Sequence, residues 1–320
     1  MNLLISSNSN PYSNLAAEEF LLKYCDDDFL LLYINQPCVV VGKHQIAQKE
    51  TNSEYLFTNK ILVARRLSGG GSVYHDEGNL NFSFIQTIPF GENVSYTSIT
   101  QPIIDFLLSL GLDVVMSERN DILLQGGKIS GSAMHIFKNR VIAHGTLLIN
   151  SNLNNLSMSL RGNPQRYTDR SIASNRSRVI NLAALHNNLN AKYIMSSLAD
   201  YMSNYKGFHR DDTLLSKGEV TIQELATNKY STSNWIYGYS PKYTYQSELK
   251  ISNKLISYRL GVEKGIIVSI QIEEKDEMES ETIIVMNRLT GKKHNYINMK
   301  QFVSEEFNKL NTSNLLQSLF

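Results

Sequence analysis

The amino-acid sequence predicts an α+β protein built on a mixed β-sheet with flanking helices. Strand-like segments outnumber helical ones in the first part of the chain and do not alternate regularly with them, which argues against a doubly wound parallel sheet. A length of 320 residues accommodates one large domain and one small domain. A shift in composition near residue 247 predicts a boundary between a first domain, 1–246, and a second, 247–320.

The chain is expected to begin with a helix followed by several strands. Asn14 is the expected cap of a helix through residues 15–25, where two adjacent glutamates lie near the positive end of the helix dipole. A turn signal over residues 35–37 separates the first two strands. At the start of segment 80–88, Leu80, Phe82 and Phe84 alternate with the residues between them, as in a strand with one buried face. The strands expected here are 29–34, 38–42, 61–68 and 80–88.

The middle of the chain combines one clear helix with a run of strands. Residues 96–110 are amphipathic and end at Gly111, which predicts a helix. Residues 121–150 predict consecutive strands that turn at Gly126-Gly127 and at Asn139-Arg140. The arginine-rich segment 151–178 has little periodicity and is expected to be a long loop. Further expected elements are a helix over 190–205, an aromatic loop over 234–245, strands over 255–272 with a turn at 262–265, and a helix over 299–309.

Bulk properties exclude several classes of partner. The net charge is +1, so no global field directs the chain to nucleic acid or to a membrane surface. No apolar stretch approaches the ~20 residues that span a bilayer, and the first residues lack the basic region of a signal peptide. Cys25 and Cys38 form no metal-binding motif and fit a reducing compartment. We therefore expect a soluble cytoplasmic protein that binds neither nucleic acid nor membranes.

Three consecutive glycines, Gly69 to Gly71, are the most informative motif. Glycine permits a sharp turn or close approach to a ligand, and the neighbouring Arg65 and Arg66 favour an anion such as phosphate. A glycine-rich hairpin with solvated arginines is the alternative interpretation of the motif by itself. The run lacks the endings of both a phosphate loop and a dinucleotide-binding turn. Because the two arginines are adjacent on a strand, one is expected to line the site and the other to pair with an acid or meet solvent.

A second motif runs from Gly126 to Ala133 and places Lys128 in an extended segment between glycines. A lysine there is a point charge suited to an oxyanion or phosphate that gains charge during a reaction. By itself, an exposed strand lysine is the commoner occurrence. Asp121 precedes the motif and could bind Mg²⁺ or a ribose, or cap a turn, and His144 closes the same sheet region.

Together these segments resemble the lipoate–protein ligase family, in particular its long-form bacterial members. The resemblance implies a catalytic domain similar to those of biotin ligases and class II aminoacyl-tRNA synthetases, followed by a small C-terminal α/β accessory domain. It covers most of residues 1–245 in the family's order. The matching segments are ARRLSGGGSVYHDEGNLNFSF (64–84), RNDILLQGGKISGSA (119–133), HGTLLIN (144–150), RSRVINL (176–182) and Asn234-Trp235.

The resemblance implies an ATP-dependent ligase that forms lipoyl-AMP from lipoate and MgATP and then acylates a lysine of a lipoyl domain. Lys128 would be the catalytic residue, in contact with both the carboxylate and the α-phosphate. The segment 161–178 would order over the adenylate, with its arginines meeting phosphate. ATP would also contact Arg66, Gly71, Ser72, Val73, Tyr74 and Asp121, the last as a Mg²⁺ ligand. The lipoyl-AMP pocket would add Ser68, Gly69, Gly70, His75, Asn79, Ser130, Gly131, Ser132, Ala133 and His144.

Other functions within and beyond the superfamily fit the residues less well. An octanoyl- or lipoyl-transferase works through a cysteine thioester without ATP, but this chain has no cysteine after Cys38. Biotin ligases match the two glycine motifs less closely. A non-catalytic protein that binds acyl groups or lipoyl domains would not require Lys128, Arg66 and the complete glycine run.

The resemblance leaves substrate details open. Tyr33 stands where the best-known members have tryptophan, so the choice between lipoate and octanoate is undecided. His75 and His144 are both candidates for the general base of the transfer step. The acceptors implied by the family are the glycine cleavage H protein or an H-like protein and the E2 subunits of 2-oxoacid dehydrogenases. We expect a monomer.

Overall fold

The structure is a computed structural model, and it describes residues 1–89, 94–175, 177–185, 189–204, 208–251, 254–273, 284, 286–306 and 313–320. The strands in chain order are β1 (Asn2–Ile5), β2 (Phe29–Ile34), β3 (Cys38–Val41), β4 (Leu62–Arg65), β5 (Val73–His75), β6 (Asn79–Thr87), β7 (Val114–Met116), β8 (Ile122–Leu124), β9 (Gly127–Ser130), β10 (Ser132–Phe137), β11 (Arg140–Leu148), β12 (Tyr167–Asp169), β13 (His209–Arg210), β14 (Tyr243–Ile251), β15 (Lys254–Glu263) and β16 (Ile266–Ile272).

Helices connect and cover these strands. The α-helices are α1 (Pro11–Tyr24), α2 (Ala47–Glu50), α3 (Ser53–Thr58), α4 (Tyr96–Ser109), α5 (Leu153–Ser159), α6 (Ala191–Asn204), α7 (Leu214–Lys217), α8 (Glu219–Leu225), α9 (Tyr296–Glu306) and α10 (Ser313–Ser318). Short 3-10 turns occupy Pro164–Arg166 and Leu182–Ala184, and π-helical turns occupy Ala226–Tyr230 and Asn234–Gly238.

The largest sheet has the strand order β10-β11-β6-β2-β1-β13. Strand β1 runs parallel to β2 and to β13, whereas β2, β6, β11 and β10 pair antiparallel. Alternation along β2 sends Leu30 and Leu32 to a face covered by α4 and α6, and Phe29 and Leu31 to a face covered by α1. The mixed sheet with helices on both faces confirms the predicted α+β class.

Two small sheets bring the predicted motifs beside the main sheet. In one, β3 lies between β4, to which it is parallel, and β5, to which it is antiparallel. The glycine run therefore connects the two outer strands by crossing the end of β3. Gly42 permits that crossing, because a Cβ there would lie 2.1 Å from the carbonyl oxygen of Gly70. The other small sheet, β7-β8-β9, carries Lys128 on its edge strand.

The C-terminal part forms an antiparallel sheet in the order β12-β14-β15-β16, packed against α9 and α10. The predicted boundary at residues 246 and 247 lies within β14. Strand β12, from the first part of the chain, pairs with β14, and Ile46 joins the same hydrophobic cluster. The division into 1–246 and 247–320 stays a prediction.

Several local expectations are wrong for identifiable reasons. Asn10, not Asn14, caps α1, since its Oδ1 accepts hydrogen bonds from the N–H groups of Tyr12 and Ser13. Segment 151–178 contains α5, a 3-10 turn and β12 instead of one long loop, and segment 234–245 contains a π-helical turn and the start of β14. The hairpin after β10 turns at Lys138-Asn139, one residue earlier than predicted. Residues 205 and 307–309 of two predicted helices lie outside the described residues.

Other local expectations are confirmed. The helix α4 ends before Gly111, whose φ of +76° suits glycine. Strands β2, β3 and β6 fall within a residue of their predicted bounds. The predicted turn over 262–265 joins β15 to β16 through Lys264 and Gly265, both with positive φ.

Candidate active site

A cavity of about 270 Å³ lies where β5, β6 and β11 meet the glycine run and the segment before β9. A second cavity of about 670 Å³ and a third of about 360 Å³ share lining residues with it, and Lys128 borders all three. Of the predicted site residues, those that line the first cavity are Arg66, Gly70, Gly71, Ser72, Val73, His75, Asp121, Lys128, Gly131, Ser132, Ala133 and His144.

The remaining predicted residues lie beside or behind the first cavity. Tyr74 and Ser130 line the second cavity. Ser68 is buried behind the wall, and Asn79 is buried and donates a hydrogen bond to Asn81, which lines the first cavity. Gly69 contributes its carbonyl oxygen to the bonding of Arg66. The structure thus brings the two glycine motifs together, as the sequence predicts.

Arg66 shapes the glycine loop from within. Its Nη2 donates to the carbonyl oxygens of Gly69, at 2.6 Å, and Gly71, at 2.7 Å. Its Nη1 donates to Val40 and its Nε to Ser68. Burial lowers the pKa of this guanidinium, and attraction to Glu18 raises it. Burial is the larger effect, so the pKa falls to about 10. Arg66 therefore fixes the shape of the loop and at the same time places a positive charge at the cavity wall.

Arg65 has a different role from either of the two predicted. It neither pairs with an acid nor meets solvent, because its side chain is fully buried and makes seven hydrogen bonds. Six of them go to backbone carbonyl oxygens, of the loop 42–45 after β3 and of the π-helical turn Asn234–Gly238. Arg65 thus ties together the segments that support the glycine loop.

A hydrogen-bonded series of three side chains closes the inner end of the cavity. The Oγ of Ser68 lies 2.6 Å from Nε2 of His144, whose Nδ1 lies 3.1 Å from both carboxylate oxygens of Glu18. Glu18 also accepts hydrogen bonds from the hydroxyls of Tyr33 and Ser83. Burial by itself would raise the pKa of Glu18. The charge of His144 and its hydrogen bond outweigh burial, so the pKa of Glu18 lies below its usual value. The ionised carboxylate accepts only, and His144 therefore carries a proton on Nδ1.

His75 lies on β5 in the same buried wall. Its Nδ1 is 3.0 Å from the amide nitrogen of Asn35, and its Nε2 has no hydrogen-bond partner among the described residues. Burial, with added repulsion from Arg66 and His144, lowers its pKa to about 3. His75 is therefore neutral across the physiological range.

The outer end of the cavity is built from exposed charges. Nζ of Lys128 lies 2.9 Å from Oδ1 of Asp121, and both side chains remain partly exposed. Gly131 leaves room for the end of the Lys128 side chain, because a Cβ at residue 131 would lie 2.9 Å from Nζ. Arg119 and Arg178, both exposed, join Lys128 in the wall of the third cavity. Glu118 and Asp121 line the same cavity, so its three cationic groups leave it with a small net positive charge that favours an anion.

The segment after β12 covers the glycine loop. The Oγ of Ser174 accepts hydrogen bonds from Nε2 of Gln45, at 3.0 Å, and from the N–H of Ser72, at 2.9 Å. The N–H of Ser174 donates to Glu50. Residues 172–175 thereby become part of the wall of the first cavity.

The arginines of segment 161–178 point to different places. Arg161 borders the second cavity and Arg178 the third, whereas Arg166 donates to the hydroxyl of Tyr245 in the C-terminal sheet. Arg170 is exposed, and residue 176 lies outside the described residues. Only Arg161 and Arg178 of the four described arginines border a cavity.

Sequence reasoning missed three residues that position the site. Glu18 was seen only as part of a helix, although two adjacent acids on an otherwise apolar helix face were a usable signal. Gln45 and Ser174 gave no signal, because they meet across more than one hundred residues of chain.

The described residues contain no group of three or more His, Cys, Asp and Glu side chains that could hold a metal ion. Asp121 offers one carboxylate at the cavity. A Mg²⁺ ion that arrives with a nucleotide needs only one or two protein carboxylates beside phosphate oxygens, so Asp121 fits that use. Within the described residues, no helix has the length and apolar character that crossing a membrane requires.

Comparison with known protein sequences gives one consistent result. Residues 10–203 match the family model described as the lipoyl protein ligase A/B catalytic domain. The chain is 35% identical over 312 residues to lipoate–protein ligase 1 of Staphylococcus aureus, covering 94% of this chain and 93% of that protein. It is 35% identical over 291 residues to the lipoate–protein ligase LplJ of Bacillus subtilis, covering 89% and 88%.

Solved structures give the same result. LipL1 of P. falciparum in complex with lipoate matches with a TM-score of 0.62 and 25% identity, covering 99% of this chain and 97% of that chain. A lipoate–protein ligase A bound with ATP matches with a TM-score of 0.62 and 27% identity, covering 74% and 98%. A bi-partite lipoate protein ligase of Thermoplasma acidophilum, described together with its E2 lipoyl domain, matches at 0.62 and 26%, covering 74% and 96%.

Proposed function

The chain belongs to the lipoyl protein ligase A/B family, and from that premise we propose that it is an ATP-dependent lipoate–protein ligase. It joins the carboxylate of lipoate to a lysine of a lipoyl domain through lipoyl-AMP. The observation that carries this proposal is the position of Lys128, which borders all three neighbouring cavities, of about 270, 670 and 360 Å³. One cation thus lies where an acyl group and a nucleotide would meet.

In the first step a carboxylate oxygen of lipoate bonds to the α-phosphorus of ATP, and the bond from that phosphorus to the bridging oxygen of pyrophosphate breaks. Negative charge grows on the α-phosphate oxygens as this happens. Lys128 is placed to stabilise that charge, and Asp121 holds its ammonium group by an ion pair at 2.9 Å. Mg²⁺ with Asp121 as a ligand would supply charge neutralisation on the triphosphate.

In the second step the ε-amine of the acceptor lysine bonds to the acyl carbon, AMP leaves with the electrons of the acyl–oxygen bond, and the amine loses a proton. Neither His75 nor His144 offers a free lone pair for that proton. His144 bonds to Glu18 through one ring nitrogen and to Ser68 through the other. In His75, Nδ1 accepts from Asn35, so the proton of the neutral ring is on Nε2. We therefore assign the general base to neither histidine.

The two larger cavities suit the nucleotide. Tyr74 and the loop Gly71–Val73 face the second cavity or its junction with the first, and the basic third cavity suits the leaving pyrophosphate. Arg66 would contact ATP by its remaining donor. The acyl part of lipoyl-AMP would occupy the first cavity, against Gly70, His75, Gly131 to Ala133 and His144, with Ser68, Gly69, Asn79 and Ser130 as supports.

The partners follow from the same reaction. We propose lipoyl-domain acceptors, namely a glycine cleavage H protein or H-like protein and E2 subunits, and a cytoplasmic monomer as the working form. The bi-partite ligase aligns over 96% of its own length but over only 74% of this chain. That difference supports a separate accessory domain at 247–320.

The test is to mix the protein with ATP, lipoate and a lipoyl domain, and to measure AMP and the mass of the domain. Stoichiometric AMP and lipoylated domain are expected. Acylation of the domain by octanoyl-carrier protein without ATP would establish the transferase alternative instead. The structure disfavours that alternative, because burial raises the pKa of the Cys38 thiol far above its usual value. Binding of the domain with no acylation would show the non-catalytic alternative.

A further inference from the structure

His75, in the wall of the first cavity, has a buried ring nitrogen without a hydrogen-bond partner among the described residues. Its side chain is 4% exposed, and its Nε2 has no hydrogen-bond partner within the described part of the chain. It lines the cavity together with Leu15, Tyr33 and Val40. A buried polar group without a partner is destabilising, so a ligand group that pairs with it is favoured.

A relay of side-chain amides fixes which nitrogen of His75 carries the proton. Nδ2 of Asn14 donates to the carbonyl oxygen of Asn8 and to Oδ1 of Asn35, both at 2.8 Å. Oδ1 of Asn14 accepts from the hydroxyl of Ser6. The amide of Asn35 is therefore oriented with its nitrogen toward Nδ1 of His75, which must accept. The proton of the neutral ring then resides on Nε2.

Of the three cavities, His75 borders the first and neither of the others. The second and third cavities, which Lys128 shares with the first, include neither His75 nor its apolar neighbours. Lys128 marks the carboxyl end of a bound acid, and His75 lies with Leu15 and Val40 around its tail. The relay that orients His75 begins at residues 6–14, which line none of the three cavities.

We propose that Nε2–H of His75 donates a hydrogen bond to a sulfur of the dithiolane ring of lipoate and thereby selects lipoate over a saturated fatty acid of similar length. This inference rests on the proposed function, since it takes lipoate as the substrate. A sulfur in a ring or chain is a weak acceptor, but it satisfies a buried donor that an alkyl chain leaves unpaired. Tyr33 has its hydroxyl committed to Glu18 and offers the tail no competing donor.

The experiment compares His75→Leu with His75→Gln in the full chain. Binding of lipoate and of octanoate is measured by calorimetry, and kcat/KM for ATP-dependent activation is measured with each acid. The wild-type chain is expected to favour lipoate, and His75→Leu to reduce that ratio about tenfold, the worth of one weakly paired buried donor. His75→Gln, which keeps N–H donors of similar reach, is expected to retain most of the preference.

An unchanged ratio in a folded His75→Leu chain would overturn the proposal, as would a water molecule at Nε2 that both acids displace alike. Nitrogen chemical shifts of His75 give a second measurement, in which Nε2–H is expected to shift with lipoate and not with octanoate. If lipoate binds selectively but no adenylate forms in the wild-type chain, the proposed function fails while this inference stands. If adenylate forms equally well from lipoate and from octanoate, the proposed function stands and the role of His75 in selecting lipoate is wrong.

Discussion

The two ends of the first cavity differ in how their polar groups are held. The inner end, formed by Glu18, Arg66, Ser68, His75 and His144, is buried. Its members bond to one another, to backbone atoms or to other buried side chains, and Nε2 of His75 has no partner among the described residues. The outer end, formed by Arg119, Asp121, Lys128 and Arg178, is partly or fully exposed, and Lys128 and Asp121 form an ion pair there. One end is rigidly bonded and the other is open to charged ligands.

This difference indicates a division of labour. A buried network is positioned before the ligand arrives, so it recognises shape and hydrogen bonding at low cost in lost mobility. Exposed cations form only weak ion pairs in water, because water and salt screen their charge. Their side chains take a fixed geometry only when a polyanion binds them. Changes at the inner end should therefore affect stability and acyl choice, and changes at the outer end should affect the rate of adenylate formation.

The largest expected effect is on stability and comes from Arg65, which supports the loops behind the inner end. Arg65→Met keeps the apolar stem but leaves several buried carbonyl oxygens without donors. We expect the free energy of unfolding to fall by about 4 to 5 kcal/mol. Denaturant titration would show this as a lower midpoint, with Arg210→Met, at an exposed pair, as the matched control. A loss below 1 kcal/mol would mean that the carbonyl groups find other donors.

The next largest effect is on catalysis and comes from the outer end. Lys128→Ala should slow pyrophosphate release by about 10² to 10³-fold, as expected when a charge-stabilising donor is removed. Because Lys128 is partly exposed, the melting temperature should change little. Lys138→Ala, at the exposed turn after β10, is the control. Near-normal pyrophosphate release by Lys128→Ala would contradict the assigned role.

A smaller effect concerns the pH dependence of stability. His75 and His294 are buried, and burial lowers the pKa of His75 to about 3 and that of His294 to about 4. Between those values and about 6.5 the unfolded chain binds protons that the folded chain does not. The stability present above pH 6.5 should therefore be lost as the pH falls, by about 1.4 kcal/mol per unit for each histidine.

The variant His294→Phe checks this directly, since it removes one of the two titrating groups. The slope of unfolding free energy between pH 6.5 and pH 4.5 should become shallower in the variant. Measurement at pH 8, where histidine is neutral in both states, isolates the change in packing. Equal slopes for variant and wild type would show that His294 is protonated in the folded chain.

The smallest expected effect compares two neighbouring glycines of the loop. Gly70 has φ of +84°, and a Cβ there would lie 3.1 Å from Nη2 of Arg66, so Gly70→Ala should destabilise by about 1 kcal/mol. Gly69→Ala has open space for its Cβ and is the control. Thermal unfolding of the two variants measures the difference. The same melting temperature for both would mean that the loop relaxes freely.

Local sequence patterns predict the α+β class, the two glycine motifs and four of the six strands of the main sheet, namely β2, β6, β10 and β11, but not β1 or β13. A continuous apolar run, as in β2, and apolar side chains that alternate with polar ones, as at the start of β6, both define a strand locally, wherever its neighbours lie. The glycine triplet and Lys128 were likewise identifiable, because glycine and lysine impose local requirements on backbone freedom and charge.

Only the tertiary structure decided which member of each adjacent pair serves the site. Arg65 and Arg66 are equivalent in sequence, as are Glu18 and Glu19, yet Arg65 binds carbonyl oxygens as far along the chain as residue 236, and Glu19 binds Lys229 and Tyr230. A polar side chain acquires its role from its bonding partners. Those partners come from strands and loops far away in the chain, so no local pattern encodes them, and folding alone brings them within hydrogen-bond distance.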